Sequence, residues 1–66
     1  MRRITIYGTV VKINRAKLGI GGVVKGNDGS RYGAGCGRFD QSLEKGDSAV
    51  VFMDGQFGHI YKITKQ

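Results

Sequence analysis

Sixty-six residues with a formal net charge of +6 make one domain with one small core. A single cysteine excludes an intrachain disulfide, and with a single histidine it makes a poor metal site, so no metal or cofactor is expected. No run approaches the ~18 apolar residues of a membrane helix, no signal peptide is expected after Met1-Arg2-Arg3, and a free thiol fits a cytoplasmic protein with no membrane partner.

Twelve glycines, no proline and alternating apolar residues predict an all-β fold of five strands. The first strand is predicted over Arg3 to Ile13, with Ile4, Ile6, Gly8 and Val10 on one face and Tyr7, Val11 and Ile13 on the other. Gly8 within it suggests a bend. The second runs Leu18 to Lys25 and closes on Gly26-Asn27-Asp28-Gly29, a turn whose residues accept positive φ. The third spans Ser30 to Cys36. Asp40 to Glu44 are expected to form one helical turn capped by Asp40, with Leu43 plugging the end of the sheet. The fourth runs Ala49 to Met53. Asp54-Gly55 makes a second turn, and Phe57 to Thr64 form the fifth strand. Five short strands with the longest connection after the third suit a small closed or partly open barrel.

Charge is distributed unevenly along this pattern. Residues 1–27 hold Arg2, Arg3, Lys12, Arg15, Lys17 and Lys25 and no acid, while all five acids lie between Asp28 and Asp54. A basic face of this kind attracts polyanions and releases their counterions. No paired carboxylates, nucleophile–base pair or metal spacing can be assembled, so an enzyme is not expected. Cys36 reads as a structural thiol and His59 as a surface strand residue. The glycines from Gly33 to Gly37 match no phosphate-binding fingerprint and read as strand curvature.

The sequence resembles the cold-shock domain, an oligonucleotide-binding barrel, from Gly8 to Lys65. Gly8-Thr9-Val10-Val11-Lys12-Ile13-Asn14 is similar to the family's opening strand. Lys17-Leu18-Gly19-Ile20-Gly21-Gly22-Val23 resembles its first ribonucleoprotein motif with one residue inserted. Leu43-Glu44-Lys45-Gly46-Asp47-Ser48-Ala49-Val50-Val51-Phe52 resembles its later stretch of a leucine, two polar residues, a glycine and an alternating strand, and Gly55-Gln56-Phe57-Gly58 resembles its final hairpin with paired glycines. Most of the family's stacking aromatics are replaced: Lys12 and Ile13 stand on the first strand, Ile20 and Gly22 on the second, and Arg31-Tyr32-Gly33-Ala34-Gly35-Cys36 on the third. Each stacked base is worth about 1–3 kcal/mol, so this loss removes much of the family's affinity.

Two functions follow as expectations. The first is weak, largely electrostatic binding of single-stranded RNA or DNA, with a regulatory or chaperone role implied by the resemblance. Lys12, Arg15, Lys17, Ile20, Lys25, Arg31, Tyr32 and Phe57 are its candidate contacts. Tyr7 and Tyr61 lean structural, and Phe52 is expected in the core. The second is a protein adaptor or homodimer that has lost nucleic-acid stacking. It would use Val11, Val51 and Met53, read as outward apolar residues on strands one and four.

Overall fold

The computed structural model describes residues 3–54 and 57–63. Five antiparallel strands, β1 (Arg3–Ala16), β2 (Gly19–Gly26), β3 (Arg31–Ala34), β4 (Ser48–Asp54) and β5 (Phe57–Lys62), form one curled half-barrel. Their order is β3-β2-β1-β4-β5. The all-β expectation and the five strands are therefore borne out. Gly55, Gln56 and Thr64, named in the predicted second turn and fifth strand, lie outside the described residues.

The long first strand organises the sheet. Arg3 to Thr9 pair with β4, and Gly8 to Ala16 pair with β2. At Val10 the β4 pairing ends and the loop before β4 takes over. Val10 N–H donates to the Asp47 carbonyl, and the Val10 carbonyl accepts from Gly46 N–H, both at 2.9 Å. The register against β2 shifts between Val10 and Lys12, so Val11 is an extra residue in β1. A bulge reverses the alternation of every residue after it. Ile13 therefore packs against the core with Val10, not on the face of Tyr7 as simple alternation predicts. Lys12 is left on the outer face.

The concave side holds the core: Val10, Val24, Phe39, Leu43, Ala49, Val51 and Ile60, each at most 3% exposed. Ile6, Ile13, Ile20, Tyr32, Ala34 and Met53 pack around it. This corrects the predicted facing of β4. Val51 pairs with Ile6 and Ile60, and that register seats it inside with Ala49 and Met53. Phe52 turns outward and is 39% exposed. Ala49, Val50, Val51, Phe52 and Met53 are all apolar, so the sequence offers no polar residue to mark the outer face.

The connection from β3 to β4 closes the concave side. A single 3-10 turn forms at Cys36–Arg38, where the third strand was expected to end. No helix forms over residues 40–44. Asp40 instead accepts hydrogen bonds from Ser42 N–H at 3.0 Å, Ser42 Oγ–H at 2.8 Å and Lys62 N–H at 3.0 Å. Its own N–H donates to the Ile60 carbonyl. The connection is thus tied to β5 on one side. On the other side Gln41 clamps β2. Its Oε1 accepts Ile20 N–H at 2.6 Å, and its Nε2 donates to the carbonyls of Ile20, Phe39 and Cys36. Leu43 plugs the end as expected.

Phe39, in the connection between β3 and β4, is a core residue that no alternation in the sequence marks. Its ring enters against Gly22, where an added Cβ would meet Phe39 Cζ at 2.9 Å and press on the Lys12 carbonyl. Overpacking of this kind typically costs about 1–3 kcal/mol, or roughly 5–20 °C in Tm for so small a domain. Gly22→Ala should show that loss in a thermal melt. Gly33→Ala should stay within about 0.5 kcal/mol, since its Cβ meets nothing nearer than 3.6 Å.

Hydrogen bonds from Lys62 N–H, then from Ser42, hold the Asp40 carboxyl below the usual carboxylate range. Its contribution to stability is complete above the unfolded value of about 3.9. It is lost as pH falls through the lower folded value. Asp40→Asn should therefore be less stable than the native chain at neutral pH, and its stability should fall less across the acid limb. Urea titrations at a series of pH values read this directly.

Candidate functional site

Residues paired across an antiparallel sheet point to the same side, so the registers define the outer face row by row. Asn14 and Gly21 form the first row, and Lys12, Val23 and Gly33 the second. Thr9 pairs with Lys25 and with Ser48, and Lys25 pairs with Arg31, giving a third row of Arg31, Lys25, Thr9 and Ser48. Tyr7, Val50 and Tyr61 make the fourth, and Thr5, Phe52 and His59 the fifth.

The first three rows carry most of the predicted basic site. Lys12 and Arg31 line one shallow groove with Val11, Val23 and Gly33. Lys25 lies beside Arg31 by strand register. All three cations are exposed, and no acid occupies a described outward position of β1, β2 or β3. Lys17 is exposed in the turn that joins β1 to β2.

The remaining candidates sit elsewhere. Arg15 pairs with Ile20 and lines the end of the half-barrel with Ile13, Ile20, Leu43, Glu44 and Lys45. Ile20 faces inward, packs against the core and is held through its backbone by Gln41. Tyr32 also packs inward, because its partner Val24 is fully buried and shares its side of the sheet. Its hydroxyl donates to Asp28 Oδ2 at 2.5 Å. That bond lowers the Asp28 pKa, with help from Ser30 N–H, and raises the Tyr32 pKa. Tyr32 is thus a strut between turn and core. Phe57 starts β5, paired with Asp54; its side chain lies outside those described.

For the alternative interface, Val51 is fully buried and Met53 packs against the core. Neither offers the outward apolar surface expected of it. Val11 is half-buried at the bulge and lines the basic groove.

The structure also exposes residues that sequence reading set aside. Tyr7 is 56% exposed, Tyr61 48% and Phe52 39%, all on the lower rows. Phe52 and Tyr61 meet edge to face, with centroids 5.7 Å apart. The available signal was the spacing Tyr7, Thr9 on β1 and His59, Tyr61 on β5, polar and aromatic residues on one parity. Among the described residues no group of three or more His, Cys, Asp or Glu side chains converges as a metal site. No described helix is long and apolar enough to cross a membrane.

No protein-family model matches this chain, and no curated protein or solved structure is significantly similar to it.

The strut makes a local test. Tyr32→Phe should let the Asp28 carboxyl titrate closer to its ordinary value, followed by NMR of the Asp28 side chain. Ligand contacts on the outer face should be unaffected, because the Tyr32 ring lies on the other side of the sheet.

Proposed function

We propose that this protein binds single-stranded RNA or DNA weakly and largely through charge, on a barrel of the oligonucleotide-binding, cold-shock-like type. The observation that carries the proposal is the shared outer face of Lys12, Lys25 and Arg31. Two of these cations line one open groove, and no described outward neighbour on β1 to β3 neutralises them. Lys17 extends the positive field at the adjoining turn. Arginine adds a planar fork that grips phosphate oxygens and stacks on bases. A flexible polyanion gains from such a face by counterion release, whatever its sequence.

Strand order supports the fold half of the proposal. A barrel of this type has five antiparallel strands and is partly open, and here β1, between β2 and β4, holds five such strands in one curled sheet. The half-barrel is left open between β3 and β5. The connection partly bridges that gap, with Phe39 pairing in parallel with Ile60. A regulatory or RNA-chaperone role in the cytoplasm is the biological setting this proposal implies. The adaptor alternative loses Val51 and Met53 as contacts, since both face the core.

Binding of a labelled mixed-sequence single strand, followed by anisotropy over a salt series, tests the proposal. Three phosphate contacts on a single strand predict a log–log slope near −2, or roughly a 15–20-fold loss between about 50 and 200 mM salt. Replacing Lys12 and Arg31 together by Gln should reduce that slope by about 1.4. Affinity insensitive to salt, or no binding at low salt, overturns the proposal.

A further inference from the structure

The lower rows of the outer face hold a group of rings that the electrostatic site does not use. Tyr7, Val50 and Tyr61 lie side by side, and Phe52 sits one row below, its ring against Tyr61. This ring row is the immediate neighbour of the row Arg31, Lys25, Thr9, Ser48, two residues along β1 and β4. That offset is about 7 Å along the strands. We infer that Tyr7 and Tyr61, with Phe52 behind them, form a base-stacking platform for a single strand whose phosphates lie on Lys12, Lys25 and Arg31. The inference rests on the nucleic-acid reading and assigns the surface that touches the bases.

Four features select this occupant over another protein. The platform rings are between 39% and 56% exposed, so their faces are open. Two of the three carry a hydroxyl, which can bond a base edge or stay in water while the ring face stacks. Thr5, Thr9 and Ser48 on the same face offer hydroxyls to base edges or phosphates. The row next to the platform is cationic: Lys25 and Arg31 lie there, two residues from Tyr7 along the sheet. Pairing this face with a second copy would bring cations of a chain already at +6 together. A polyanion with flat, apolar bases satisfies both halves at once. Stacking is also tolerant of sequence, because every base has a π-face.

The test uses the native chain and a Tyr7→Leu, Tyr61→Leu double variant, which keeps apolar bulk on both strands. The probes are a single strand of about ten thymidines and an abasic phosphate strand of equal length. The chain has no tryptophan, and two of its three tyrosines belong to the platform, so the part of the tyrosine emission that the double variant lacks reports it. The native protein should prefer oligothymidine by roughly tenfold or more and lose tyrosine emission on binding it. The double variant should lose that preference while keeping its affinity and salt slope for the abasic strand. On the native chain alone, amide shifts at Tyr7, Val50, Phe52 and Tyr61 should respond to oligothymidine and not to the abasic strand. This second measurement stands if the variant fails to fold. Equal affinity of the native chain for both probes overturns the platform and leaves the electrostatic face intact. No binding of either probe at low salt defeats the nucleic-acid reading itself. A native dimer that the double variant dissociates, with no preference for bases, overturns the platform in favour of a protein interface.

Discussion

One extra residue in β1 decides what this molecule shows to its surroundings. Val10 and Lys12 have the same parity, so an unbroken strand would send both to the same side. The bulge at Val11 sends Val10 into the core and Lys12 out, and brings Ile13 back inside. It falls where β1 exchanges its partner β4 for the loop at Gly46 and Asp47, which satisfies both backbone groups of Val10. Without the extra residue, Lys12 would point toward an apolar interior, where an unpaired ammonium is very costly.

The second support is the connection between β3 and β4. It lies across the concave side and supplies Phe39 and Leu43 to the core. Gln41 holds it to β2 and Asp40 holds it to β5, through backbone groups that would otherwise lack a partner at the sheet's open side. Glycine at 22 then has a specific cause: the Phe39 ring occupies the space where a side chain would stand. Gly22 thus gives room to an internal aromatic residue. In a domain this small, one such ring is a large share of the core.

The outer face divides by chemistry along β1. Its upper rows are cationic and glycine-rich; its lower rows are aromatic and hydroxylated. The cations lie on β1, β2 and β3, and the exposed rings lie on β1, β4 and β5. Tyr32, the one ring left on β3, is taken up by Asp28 and the core.

The amino-acid sequence alone was enough for the all-β class, the five strands, the turn after β2 and the basic first third. These rest on local chemistry: glycine and Asn-Asp punctuation, alternation, and charge count. It also marked Leu43 as an internal plug and placed Lys12, Arg15, Lys17, Lys25 and Arg31 across the first three strands, of which the structure brings Lys12, Lys25 and Arg31 to one face. Facing was a matter for the tertiary structure. Ala49 to Met53 are uniformly apolar, so only pairing with Ile6 and Ile60 shows that Val51 is inside and Phe52 outside. A bulge leaves no unique residue signature, so Ile13 was assigned to the wrong side. Phe39 was hidden because a lone aromatic in a loop has no period, and its burial depends on Gly22, seventeen residues earlier in the chain.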